Sequence, residues 1–171
     1  MSSSPFGAAD RDPGKRRDGP GSGSRPDGWG DRPGGAGAPD PAVVTIRIPA
    51  DPEYVSILRA ACGQLAPRLG CTPAEIADLR LAVDEACGLL LRHCVRLRRG
   101  TDGDGLAATF VADGPALFIT LSMEADAFVT PDAGEFGWTI LTALVDGFTW
   151  HVDGSTVRVE IRKTQAAGRQ G

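Results

Sequence analysis

Glu85, Cys87, His93 and Cys94 fall within one ten-residue stretch, placing a carboxylate, two thiols and an imidazole on a single apolar-periodic segment. A helix-borne carboxylate is the kind of group that takes a proton as a general base. At 100° per residue, Glu85 lies on the flank of a Leu79/Ala86/Leu90 stripe, and Leu89, one turn later, shares that flank. On these residues alone Glu85 reads as a solvated helix carboxylate. Cys87 and Cys94 are seven positions apart, which raises a thiol-sensor reading, but buried inert cysteines are the expected outcome. With Cys62 and Cys71 they form no CxxC pair, and His93 and His151 stand apart, so no zinc or other metal site is expected. The basic run Arg92, Arg96, Arg98, Arg99 fits a role complementing a helix C-terminus better than one contacting an acidic partner.

The elements that must position these groups are legible from about residue 43. Val43, Val44, Ile46 and Ile48, with Thr45 and Arg47 between, predict a strand ending at Pro49. Val55, Leu58, Cys62, Leu65 and Leu69 predict an amphipathic helix bent or ended near Pro67, with Arg59 on its polar face. Thr72-Pro73-Ala74-Glu75 is a capping box with proline at the first helical position. The helix it opens carries Ile76, Leu79, Val83, Ala86 and Leu90 inward and runs to about His93 or Cys94. Strands over 106–112 and 116–121 are joined by Asp113-Gly114-Pro115. A last helix spans 134–146, and Phe148, Trp150 and Val152 turn at Asp153-Gly154 into Val157, Val159 and Ile161. The order β-α-α-β-β-α-β-β predicts an α+β fold: a two-layer sandwich with a mixed, mostly antiparallel sheet.

Composition bounds the rest. Residues 1–42 hold 10 of the 23 Gly and 7 of the 13 Pro, and their six acidic and six basic residues balance. So little apolar surface cannot offset ordering entropy, and a disordered tail is expected there, with another at 164–171. The net charge of −4 therefore belongs to the domain at 43–163. That charge gives no general reason to coat nucleic acid or an anionic membrane. No apolar run is long enough for a span, no secretory leader is evident, and a reduced cytoplasmic setting is expected.

With the element order in place, "DLRLAVDEAC" (78–87) and "FGWTILTALVDGFTWHVDG" (136–154) resemble the anti-sigma factors of the serine-kinase type. These belong to the histidine-kinase-like ATPase superfamily, and the chain looks closest to an actinobacterial branch. The resemblance spans the folded part and implies that superfamily's fold. It also implies a general-base role at Glu85, while the family's Mg²⁺-holding Asn position is occupied by Leu89, which has no donor oxygen for a hard cation. Met123 stands where the family's adenine-reading Asp would be, and Ala125 and Ala127 replace the two glycines of that motif. Gly134 and Gly137 keep part of a glycine-rich turn at a helix N-terminus suited to phosphate, with Glu135 as an opposing charge. Three altered motifs in one pocket predict that no ATP or Mg²⁺ is required and that Glu85 is inactive as a base. The implied function is sequestration of an alternative sigma factor of the stress or sporulation type. Relief would come from a STAS-domain anti-anti-sigma protein, with Arg59 at a partner-binding position and a homodimer through the first strand and helix. The enzymatic alternative is an ATP-dependent protein-serine kinase acting on that antagonist. A third reading keeps nucleotide as a structural ligand only.

Overall fold

In the computed structural model, residues 41–96 and 105–165 are described. The expected tail at 1–42, all but its last two residues, lies outside them, as do Arg98 and Arg99 of the basic run.

Strand β1 (Ala42–Pro49) is followed by a 3-10 turn capped by Asp51, then helix α1 (Val55–Leu65). Pro67 ends α1 as expected: the chain tightens into a 3-10 turn over Ala66–Leu69 and leaves it at Gly70, whose φ of 76° is left-handed. Helix α2 (Pro73–His93) opens on the predicted capping box, Thr72 and Glu75 exchanging bonds in both directions. Then come β2 (Cys94–Val95), β3 (Gly105–Asp113), β4 (Ala116–Glu124), β5 (Ala127–Phe128), α3 (Phe136–Leu144), β6 (Gly147–Asp153) and β7 (Thr156–Thr164).

Five strands form one sheet in the order β1-β3-β4-β7-β6, and β2 pairs with β5 in a short separate ribbon. Every strand pairing among the described residues is antiparallel, so the expected mixed sheet is corrected to that extent. Register places the apolar side chains in cross-strand rows: Leu106–Met123–Val157, Ala108–Leu121–Val159–Trp150, and Phe110–Ile119–Ile161–Phe148. Apart from the half-buried Trp150 and Phe148 at the β6 edge, these residues are buried, while Thr109, Ser122, Arg158 and Glu160 alternate onto the other face. The core joins those rows to Val55, Leu58 and Cys62 of α1 and to Leu79, Ala82, Val83, Ala86, Cys87, Leu89 and Leu90 of α2.

Several boundaries differ from the sequence expectation. α3 is shorter than 134–146, because Glu135 has extended backbone and stands at the N-cap position without a side-chain capping bond, leaving Gly134 in the preceding turn. Lys163 Nζ donates to the Leu144 carbonyl at 3.0 Å and satisfies one of the open acceptors at the other end. Thr164 belongs to β7 rather than a tail, and Gln165 donates from its backbone to Pro115 O and from Nε2 to Gly70 O. Among the described residues no helix is long and apolar enough to cross a membrane.

Candidate functional site

Three of the candidate residues, Glu85, Leu89 and Gly137, converge where the C-terminal half of α2 meets the start of α3. Gly137, in the first turn of α3, is buried. A Cβ there would lie 3.0 Å from Glu85 Oε2, 3.2 Å from Arg92 Nη2 and 3.4 Å from Leu89 Cδ2. Glycine at this position leaves room for Glu85, Arg92 and Leu89, whose side-chain ends a Cβ would crowd. Gly134 stands outside this contact, its N–H donating to Asp132 Oδ1 at 2.7 Å.

Leu89 shares a flank of α2 with Glu85, as expected from the helical period, and it is fully buried there. The reason is tertiary: α3 covers that flank, widening the buried arc of α2 beyond the stripe predicted from periodicity. Glu85 stays half-buried at the edge of the contact. A leucine packed in the core offers no oxygen to a divalent cation, so the donor set at this position does not fit Mg²⁺.

The second motif is also absorbed into the core. The strand expected over 116–121 runs on through Met123 and Glu124, and Met123 is 3% exposed in the Leu106–Met123–Val157 row. Its thioether is a weak acceptor and cannot replace a carboxylate that reads an amino group. Ala125 is buried beside it, while Ala127 is exposed on β5. Glu124 points instead at the β6–β7 turn, accepting from Ser155 Oγ at 2.5 Å and Thr156 Oγ1 at 2.6 Å. Those two hydroxyls, Ser155 foremost, hold its carboxyl below the usual glutamate range.

Sequence reasoning missed the pairing of His93 with Glu135. Nε2 of His93 and Oε2 of Glu135 lie 2.9 Å apart, joining the last turn of α2 to the cap of α3. The bond from His93 is the main reason that the Glu135 carboxyl lies below its ordinary range. The charge expected to oppose phosphate is thus already engaged within the chain. A histidine closing one helix and a glutamate opening another were the available signals, but only the fold brings positions 42 apart together.

Arg59 is on the polar side of α1 as expected, but Nη1 is bound to Asp84 Oδ1 of α2 at 2.7 Å. Both side chains remain about two-fifths exposed, at 40% and 38%, so the pair lies on an open surface. The thiol-sensor reading is not supported by the burial of these groups. Burial pushes Cys62 and Cys87 up to about 12 and Cys94 to about 11, leaving them protonated and poorly nucleophilic near neutrality. No group of three or more potential ligands is placed to hold a metal among the described residues.

The comparisons agree with this architecture. The chain is 35% identical over 86 residues to the serine-protein kinase RsbW of Bacillus pumilus (strain SAFR-032), covering 50% of this chain and 52% of that protein. It is 42% identical over 53 residues to the serine-protein kinase RsbW of Bacillus subtilis (strain 168), covering 31% and 33%. The matched region thus spans about half or less of these curated relatives. A crystal structure of the RsbU and RsbW domains of a Mycobacterium tuberculosis protein is similar in fold, with a TM-score of 0.52 at 17% identity. That match covers 72% of this chain and 32% of the other. Residues 48–162 match the model of the histidine kinase-like ATPase domain, and the chain belongs to that family.

Proposed function

We propose that this domain is an anti-sigma factor that works by binding rather than by phosphoryl transfer. It sequesters an alternative sigma factor of the stress or sporulation type, and a STAS-domain anti-anti-sigma protein relieves it by competing for an overlapping face. Sequestration needs only surface complementarity and mass action, since a sigma factor held tightly is absent from the polymerase pool. The similarity to proteins named serine-protein kinase RsbW supports the class of partner, as does the sequence resemblance to anti-sigma factors.

The observation that carries the binding-only reading is Leu89, fully buried beneath α3 at the position the resemblance assigns to a metal-holding asparagine. Met123 adds to it, because its place in a sheet row leaves no carboxylate to read adenine. Without a metal, the charge on a transferring phosphoryl group loses a major stabiliser. Arg59, held by Asp84, is a candidate contact for the partner. The net charge of −4 gives a modest attraction to the basic surfaces that sigma factors turn toward DNA. A cytoplasmic homodimer formed through β1 and α1 belongs to the same reading, as does an actinobacterial source.

The test is affinity purification of the tagged full chain from its native cells, read by mass spectrometry. Recovery of an alternative sigma factor is expected, and unrelated partners without one would overturn the class. The relatives' printed activity keeps one competitor specific: transfer of phosphate from ATP to a STAS-domain protein by the purified chain would favour the kinase reading.

A further inference from the structure

The N-terminus of α3 and the last turn of α2 are tied together by more contacts than packing requires. Glu135 uses both carboxylate oxygens: Oε2 meets His93 Nε2 at 2.9 Å, and Oε1 accepts the Asp132 N–H at 3.2 Å. The Glu135 N–H returns a bond to Asp132 O at 3.0 Å, closing a tight turn before the helix. His93 is held from two further sides. Its carbonyl accepts from Val129 N at 2.9 Å, and its ring stands edge-on to Trp150, centroids 6.3 Å apart at 83°. Arg92, one residue earlier, reaches toward Gly137 and adds a favourable charge near Glu135. A helix N-terminus carries partial positive charge and favours an anion close by. Here the anion is the chain's own carboxylate, charge-assisted by an imidazole from the neighbouring helix.

We propose that His93 and Glu135 form an internal clasp that keeps α3 and residues 129–135 closed on α2, so that the chain's own side chains set this conformation. The inference rests on the geometry of α2 and α3 and not on the sigma-binding reading, and its test uses the purified chain alone. The two residues are positioning residues: they hold the contact at Gly137 and Leu89 in register rather than touch a reactant.

Hydrogen exchange on the full chain, with Glu135→Ala, His93→Ala and the double variant, separates a clasp from two unrelated surface groups. The expected result is that each single variant speeds exchange of the Thr139, Ile140 and Leu141 amides about tenfold, the scale of one charge-assisted bond. The Val83 and Ala86 amides in the middle of α2 should keep their protection, marking the opening as local. In the double variant the acceleration should fall clearly short of the product of the two single effects, because the shared bond can be lost only once while the Asp132 and Trp150 contacts are lost separately. Glu135→Gln, which keeps shape and an acceptor, should give a smaller rise. Exchange within twofold of the parent in both single variants would overturn the clasp, as would effects that multiply in the double. If an alanine variant unfolds, His93→Phe, which keeps a ring against Trp150 but has no donor for Glu135, carries the same test.

Discussion

Restoring asparagine at position 89 separates a leucine that is structural from one that merely interrupts a working pocket. Leu89 is fully buried, and burying a leucine side chain is worth about 1.5–3 kcal/mol. Asparagine has nearly the same shape, so little cavity opens, but its amide enters the core and costs a further ~1–3 kcal/mol if unpaired. One partner is in reach. Glu85 Oε2 and Leu89 Cδ2 lie 3.0 and 3.4 Å from the same point, the place a Cβ on Gly137 would occupy. A bond from the new amide to that carboxylate would bring the total down to about 2 kcal/mol, whereas an unpaired amide would raise it to about 5 kcal/mol. With a urea slope of about 1–3 kcal/mol per molar, the midpoint of Leu89→Asn should fall by on the order of 1–2 M at unchanged slope. The variant should gain no ATP binding, because Met123 still fills the adenine-reading position. A stability change below ~1 kcal/mol would refute the reasoning that α3 seals Leu89 into the core. Nucleotide binding restored by this one substitution would refute the account of the pocket.

Other consequences follow from particular contacts. Thr72→Ala removes the cap acceptor for Glu75 N and should cost about 1 kcal/mol in a denaturant titration. Gly70→Ala forces a side chain into a φ of 76° and to within 2.7 Å of the Gln165 amide, so a loss of about 1–2 kcal/mol is expected. Glu124 and Glu135 titrate below the ordinary glutamate value when folded, so their stabilisation is fully present above that value and fades as pH falls through their lowered values. Urea melts from pH 7 to pH 3 should show this loss, and Glu124→Gln should flatten it. Cys62, Cys87 and Cys94 should resist a thiol reagent at pH 8 until the chain is unfolded. A disulfide among them after peroxide treatment of the native protein would contradict that.

Much of the fold was legible because local chemistry and tertiary need coincide. The capping box at Thr72, the stop at Pro67 and the alternation from Phe148 to Ile161 each follow from short-range pattern, and each is present. The ribbon of β2 and β5 was not legible, since two residues on either strand leave no period to detect. The burial of Leu89 was not legible because periodicity describes one buried stripe, whereas α2 is covered by the sheet and by α3 together. The strand over 116–121 was drawn too short, since Met123 is apolar, in phase with Leu121, and extends it. The pairs His93–Glu135 and Arg59–Asp84 join residues far apart in sequence and could come only from the packed structure. What the sequence did carry was the chemical content of the site, since the loss of donor atoms at 89 and 123 is visible in residue type alone.

The most direct measurement is a calorimetric titration of ATP with Mg²⁺ into the purified full chain. The account predicts no binding heat at concentrations where a working nucleotide site would saturate, because leucine and methionine side chains fill the positions that would grip metal and base. Saturable binding in the micromolar range, lost on Glu85→Ala, would contradict it.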